Sequence, residues 1–161
     1  MASQPKTNAM RILEQKKLPH HCFFYDCKHF TDALQIAEML GQSPDMTFKS
    51  LMCQGKSGGY YAFVIPAPCT LDLKKAAAAV GEKSLALLPV KDIQQVTGYI
   101  RGGCTAIGMK KDYPVVLDVH ASAFEEIIIS GGKLGTQIHL APGVFLQATN
   151  GKMLAVTVET E

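Results

Sequence analysis

The sequence predicts a mixed α/β fold in which helices surround a mixed, barrel-like β-sheet. Short apolar strand patterns are numerous, helical patterns lie scattered between them, and a glycine-containing turn joins two strands as a hairpin. The strict alternation of strand and helix that builds a fully parallel sheet is not present. We expect one domain over residues 1–161, because this length suits a single core and no linker interrupts it.

The helices are predicted from apolar residues spaced three or four apart and from the residues at their ends. In the second helix, Leu34, Ala37 and Leu40 form the expected inward stripe. The expected N-terminal caps of the first three helices are Thr7, Thr31 and Thr70. The predicted helices span 8–17, 32–40, 71–80 and 90–96, and a short fifth helix starts at Pro142.

The strands are predicted from runs rich in β-branched and aromatic residues between turn signals. The run at 114–119 is continuously apolar, which is typical of a strand buried on both faces. The predicted strands span 20–25, 47–53, 60–67, 114–119, 125–130 and 152–158, with a further strand at the end of 131–140.

Composition excludes several classes of protein. Sixteen basic and 14 acidic residues give a net charge of +2, too balanced for a protein that coats DNA. No apolar run approaches the roughly 20 residues of a membrane helix, and no signal-peptide pattern precedes the first helix. Five cysteines without a C-x-x-C pair, and only one crowded His/Cys region at 20–29, predict reduced thiols and no metal or cofactor. We therefore expect a cytoplasmic protein with neither membrane nor DNA as a partner.

Two features leave a structural and a functional interpretation open. Lys49 interrupts an otherwise apolar strand, so it points either to solvent at a sheet edge or into a cleft that receives a phosphate or carbonyl. The glycine-rich stretches 98–108 and 130–135 are either plain turns or backbone surfaces that a ligand approaches closely.

Five ordered segments carry a resemblance to one known family. They are TNAMRILEQKK, LGQSPDMTFKSL, LDLKKAAAAVG, TGYIRGGCTAIGMKK and ISGGKLGTQIHL. The second is similar to LG-x-x-P-x-x-V-[FY]-K-[TS]-L, the fourth to TGY-x-x-GG-x-[ST]-P-x-G-x-KK, and the fifth to SGGKRG-x-x-I-x-L. These are motifs of the YbaK/EbsC family of aminoacyl-tRNA deacylases, which also occurs as the insertion domain of bacterial prolyl-tRNA synthetases. The match runs nearly from end to end.

The resemblance implies a set of site residues. Lys49 matches the strand lysine that orients the terminal adenosine and its phosphate, and it is the implied catalytic residue. Gly102 matches a pocket glycine whose backbone approaches the aminoacyl ester. The implied substrate-binding residues are Tyr25, Phe30, Gly102, Gly103, Thr105, Ser130, Gly132 and Gln137.

The chain departs from the family pattern at four positions. Asn8 and Ala106 stand where proline is usual, Leu134 replaces a common arginine, and Gln137 replaces the aspartate of some members. The departures at 106, 134 and 137 bear on substrate choice more than on fold, because they lie in or beside the motifs that line the implied pocket.

The resemblance implies a trans-acting enzyme that removes a wrongly attached amino acid from tRNA. The expected substrate is Cys-tRNA(Pro), whose own thiol attacks its carbonyl once it is positioned, so that no protein nucleophile is needed. One alternative is hydrolysis of Ala-tRNA(Pro) by a positioned water. Others are a non-catalytic module that binds the tRNA acceptor end or a synthetase, and a small thiol protein. The expected partners are aminoacyl-tRNA and, as a candidate, prolyl-tRNA synthetase.

Overall fold

The structure is a computed structural model that describes residues 6–159. Helices and strands follow one another in a mixed order, as the sequence predicts. The α-helices are α1 (Asn8–Gln15), α2 (Ala33–Leu40), α3 (Leu73–Val80), α4 (Val90–Thr97) and α5 (Pro142–Thr149). The strands are β1 (His21–Phe24), β2 (Phe48–Gly55), β3 (Tyr60–Pro66), β4 (Leu85–Leu87), β5 (Val115–Asp118), β6 (Ile127–Ser130), β7 (Thr136–Leu140) and β8 (Lys152–Leu154). Short 3-10 helices occupy Pro44–Met46 and Val119–Ala123.

The strands form two sheets. An antiparallel three-stranded sheet has the order β1-β7-β6, and a mixed five-stranded sheet has the order β4-β2-β3-β5-β8. In the larger sheet β5 runs parallel to β3 and to β8, while β2 and β3 form the predicted hairpin. A bridge between Thr47 and Ile128 joins the two sheets. The mixed α/β prediction is confirmed, and the sheets lie side by side without closing into a barrel.

The helix caps are acidic more often than the sequence predicted. Thr7 caps α1 as expected, because its hydroxyl accepts the Met10 backbone N–H at 3.2 Å. Asp32 and Asp72 cap α2 and α3, so the predictions of Thr31 and Thr70 were wrong by one and two residues. An aspartate carboxylate carries a full negative charge, which is stabilised at the positive N-terminal end of the helix dipole. A threonine hydroxyl is neutral and lacks this contribution.

Helix α2 also buries a different stripe from the one predicted. Ala37 is fully buried, but Ile36 is its buried neighbour, whereas Leu34 and Leu40 are 43% and 38% exposed. The helix therefore rests on the domain along only part of its circumference. Its remaining apolar residues face outward.

One apolar core runs through both sheets. Its largest cluster combines Val64 and Leu117 of the five-stranded sheet with Ile129 and Ile138 of the three-stranded sheet. A second cluster fills the space between the five-stranded sheet and α3, where Ala76 is fully buried. The alanine run of α3 thus lets the helix pack closely against the sheet. Within residues 6–159, no helix is long and apolar enough to cross a membrane.

Candidate functional site

A cavity of about 420 Å³ is lined by both sheets, by the first residues of α2 and by the glycine-rich stretch after α4. We call 98–108 the first glycine loop and 130–135 the second. The cavity has the size of a small-molecule site, since such pockets span roughly 300–1,000 Å³. The implied site residues that line it are Tyr25, Phe30, Lys49, Gly102, Ser130 and Gln137.

Lys49 lies on β2 with its side chain half-buried in the cavity wall. Burial lowers the pKa of its ammonium group, and the nearby Cys69 and Asp32 act in the opposite direction. It makes no ion pair with any other residue in the range 6–159. Of the two interpretations left open by the sequence, the structure shows the lysine in a cleft. A partly desolvated ammonium without a partner is suited to an anionic group of a ligand.

Gly102 occupies the third position of a tight turn. The Gly103 N–H donates to the Ile100 carbonyl at 3.0 Å, and Gly102 has φ of +85°. These are features of a type II turn, in which the third position favours glycine. An added Cβ on Gly102 would come within 2.7 Å of Leu134 Cδ2 and 2.9 Å of Phe30 Cδ2. The turn therefore packs directly against the second glycine loop and an aromatic side chain.

Arg101 lies at the corner of this turn and also lines the cavity. Its guanidinium carbon is 3.9 Å from the centre of the Phe30 ring. A cation–π contact at an exposed position contributes about 0.5–1 kcal/mol. The sequence analysis missed Arg101, because it occupies a variable position of the glycine motif. The signal that could have found it is a cation placed immediately before a turn glycine.

Gly103, Thr105 and Gly132 do not line the cavity, although the resemblance implied that they bind substrate. An added Cβ on Gly103 would lie 2.6 Å from the Lys133 Cα atom, and one on Gly132 would lie 2.9 Å from the Thr7 Cβ atom. Thr105 is fully buried, and its hydroxyl has no hydrogen-bond partner among the described residues. These three residues lie behind the cavity wall, where the two glycine loops pack backbone against backbone.

Gln137 is almost fully buried and forms a reciprocal amide pair with Gln42. Gln42 Nε2 donates to Gln137 Oε1 at 2.8 Å, and Gln137 Nε2 donates to Gln42 Oε1 at 3.0 Å. His139 Nε2 lies 3.3 Å from the same Gln137 oxygen, and burial lowers the pKa of His139. This part of the wall is therefore polar but uncharged. The sequence did not single out Gln42, because it occupies a variable position of the second motif and lies 95 residues away from its partner.

The cavity lining includes one thiol, Cys104, and two serine hydroxyls, Ser50 and Ser130. Burial raises the pKa of the Cys104 thiol to about 11, so the thiol stays protonated at neutral pH and is a poor nucleophile. The Ser130 hydroxyl accepts the Gly132 N–H at 3.3 Å and has no hydrogen bond to a described histidine or carboxylate. Among residues 6–159, no cluster of three His, Cys, Asp or Glu side chains could hold a metal ion. The described residues of the cavity thus include neither an activated thiol nor a metal-binding cluster.

Comparison with known proteins gives a consistent result. Residues 27–156 match the family model described as "Aminoacyl-tRNA editing domain". A protein of Enterococcus faecalis named "Putative Cys-tRNA(Pro)/Cys-tRNA(Cys) deacylase EbsC" is 44% identical over 159 residues, which cover 98% of this chain and 96% of that protein.

Solved structures share the fold. A "putative trans-editing enzyme for prolyl tRNA synthetase" superimposes with a TM-score of 0.81 at 24% identity, covering 98% of this chain and all of that chain. A hypothetical protein superimposes with a TM-score of 0.85 at 20% identity, covering 94% and 99% of the two chains. At these identities the likeness concerns the fold alone.

Proposed function

Because the chain belongs to the aminoacyl-tRNA editing domain family, as its motifs predicted, we propose that it is a trans-acting aminoacyl-tRNA deacylase. Its substrate is a tRNA that carries the wrong amino acid. The 44% identical relative is named as a deacylase of Cys-tRNA(Pro) and Cys-tRNA(Cys), which supports cysteine as the amino acid removed. The observation that carries the proposal is the cavity in which the half-buried Lys49 has no partner among the described residues.

The proposed mechanism relies on positioning. The Lys49 ammonium holds the phosphate of the terminal adenosine, which places the aminoacyl ester against the cavity wall. The cysteine thiol of the substrate then attacks its own carbonyl carbon, forming a carbon–sulfur bond. The ester carbon–oxygen bond breaks, the ribose oxygen takes up the thiol proton, and a cyclic thioester leaves. Alignment of groups already joined in one molecule can supply most of the acceleration.

This mechanism is consistent with the protonation states of the side chains that line the cavity. With a pKa of about 11, Cys104 does not compete with the substrate thiol as a nucleophile. Burial also raises the pKa of Tyr25, so its hydroxyl is neutral and can donate a hydrogen bond. The uncharged Gln42–Gln137 pair adds no carboxylate that would act as a general base.

The departures from the family pattern at 106 and 134 leave the wall intact. Ala106 is buried in the core, and neither Ala106 nor Leu134 lines the cavity. Their positions give little support to the alternative of a non-catalytic binding module. The hydrolysis of Ala-tRNA(Pro) by a bound water stays as the second reaction to test.

We also propose that the protein acts in the cytoplasm on tRNA delivered by prolyl-tRNA synthetase. A net charge of only +2 provides little long-range attraction for RNA. A synthetase that holds the body of the tRNA would compensate for this weak affinity. Addition of the synthetase should then raise deacylation at low enzyme concentration.

The test is amino acid release from Cys-tRNA(Pro), Ala-tRNA(Pro) and Ser-tRNA(Pro) by the purified protein. We expect cysteine release that falls about 100-fold in Lys49→Ala, because a misplaced substrate loses its alignment. Lys83→Ala, which removes an exposed lysine outside the cavity, is the matched control. Ser-tRNA(Pro) should persist, since its hydroxyl replaces only the attacking sulfur and is a far weaker nucleophile.

Other outcomes identify the alternatives. Release of alanine would assign the protein to the water-dependent reaction, and release of serine would show that the reaction does not require a substrate thiol. If no amino acid is released while the tRNA still binds, the protein is a binding module and the enzymatic proposal fails.

A further inference from the structure

The mouth of the cavity carries a second cation, Arg101, stacked on Phe30. We propose that Arg101 binds a backbone phosphate of the RNA acceptor end, outside the position that Lys49 holds. This inference rests on the proposed function for the nature of the ligand and deepens it by adding a binding residue. Arg101 would thus contribute to the affinity for RNA and to the position of the RNA strand, but not to the chemical step.

The position of Arg101 is fixed by rigid neighbours. Helix α4 is capped by Gly98 in a left-handed conformation, and the following Tyr99 is buried with its hydroxyl donating to the Ile107 carbonyl at 2.6 Å. The tight turn that begins at Ile100 then presents Arg101 at its corner. A long side chain that is restrained at its backbone and at its tip loses less conformational entropy on ligand binding than an unrestrained one does.

The guanidinium group keeps its hydrogen-bonding edge available. The guanidinium carbon lies over the Phe30 ring, and the group carries five N–H donors. No described residue accepts a hydrogen bond from Arg101 or forms an ion pair with it. A planar fork of donors matches the oxygens of a phosphate better than a lysine ammonium does.

The charges of the cavity wall are consistent with a polyanion. The charged side chains that line it are Asp32, Lys49 and Arg101. The Asp32 carboxylate accepts the Gln35 N–H at 2.9 Å as the cap of α2, so it is already engaged. One half-buried cation, Lys49, and one exposed cation, Arg101, therefore line the same cavity. This arrangement suits two successive charges of a nucleic acid strand.

The test measures binding of an unacylated acceptor-stem minihelix at several salt concentrations. Arg101→Ala should weaken binding at low salt about tenfold and make the slope of log affinity against log salt shallower by about 0.7–1, as for one lost phosphate contact. Arg101→Lys should restore the slope but only part of the affinity, because it keeps the charge and loses the stacked fork. Arg11→Ala, which removes an exposed arginine on α1, is the matched control and should bind as the wild type does.

Several outcomes would overturn the inference. An unchanged salt slope in Arg101→Ala would show that the residue acts through packing alone, even if affinity falls. Equal losses in Arg101→Ala and Arg11→Ala would show a general charge effect, and a wild-type protein that does not bind the minihelix would also refute it. The result is independent of deacylation: if the wild type releases no amino acid but binds RNA through Arg101, the inference stands and the enzymatic proposal fails.

Discussion

Two adjacent glycines of the first glycine loop are required for different physical reasons. Gly102 adopts a left-handed conformation, which a side chain makes costly wherever it occurs. Gly103 is not left-handed, but it lies so close to the backbone of Lys133 that no Cβ fits. Backbone conformation at Gly102 and packing at Gly103 are therefore sufficient to explain the two glycines. Loss of activity in Gly102→Val would report turn strain as well as substrate access, so Lys49 and Arg101 are better probes of the site.

Substitution of Gly103 gives a prediction at this scale. Gly103→Ala should reduce the free energy of unfolding by about 1–3 kcal/mol, because its methyl group meets main-chain atoms that cannot rotate away. Gly143→Ala is the matched control, since it lies in α5 with no atom within 4 Å of an added Cβ. It should leave stability unchanged or raise it by about 0.5 kcal/mol. Urea denaturation measures both, and a Gly103→Ala protein as stable as the wild type would contradict the packing argument.

At the scale of elements, the start of α1 holds both glycine loops. The Thr7 hydroxyl donates to the Gly131 carbonyl of the second loop at 2.5 Å while it caps α1. Asn8 Nδ2 donates to the Gly108 carbonyl of the first loop at 2.8 Å. The asparagine that replaces the family's usual proline therefore makes a hydrogen bond that proline could not make. Helix α1 acts as a brace behind the cavity wall.

Removal of the Thr7 hydroxyl tests this brace. Thr7→Val should lower the free energy of unfolding by about 1–2 kcal/mol, because both the cap and the bond to Gly131 are lost. It should also lower deacylation, since the second loop carries Ser130 into the cavity wall. Thr7→Ser keeps the hydroxyl and should retain most of both properties. A Thr7→Val protein as stable and as active as the wild type, or a Thr7→Ser protein that loses as much as Thr7→Val, would contradict the role of the hydroxyl.

At the scale of the molecule, the two sheets share one apolar core. Val64 and Ile138 are fully buried, lie in different sheets and belong to the same cluster. The cavity lies where these sheets and the two glycine loops meet, so the site exists only when both sheets are formed. On this basis we propose that residues 1–161 fold as a single domain.

Cooperative unfolding is the corresponding prediction. Loss of helix and strand signal by far-ultraviolet circular dichroism should coincide with exposure of Cys53, a fully buried thiol on β2. Ile138→Ala, in the other sheet, should lower stability by about 2–5 kcal/mol and shift both transitions together. Both signals are followed during thermal unfolding. If the Cys53 thiol of Ile138→Ala became exposed at the same midpoint temperature as in the wild type, the two sheets would unfold separately.

The sequence by itself determined the class of fold, most helices and strands, and the family. These depend on local spacing and on short motifs, which are complete within a few residues. It also singled out Lys49, because a charged side chain in an apolar strand must either reach solvent or point into a polar cleft. The predicted caps at Thr31 and Thr70 failed where a neighbouring aspartate offered the stronger acceptor.

Only the tertiary structure decided which residues form the cavity. Arg101 meets Phe30, Gln42 pairs with Gln137, and Gly103 packs on Lys133 across loops that are far apart in the chain. Such pairings depend on how the two sheets and the glycine loops pack, and no local spacing records that packing. For the same reason, Gly103, Thr105 and Gly132 belong to the family motifs yet lie behind the residues that line the cavity.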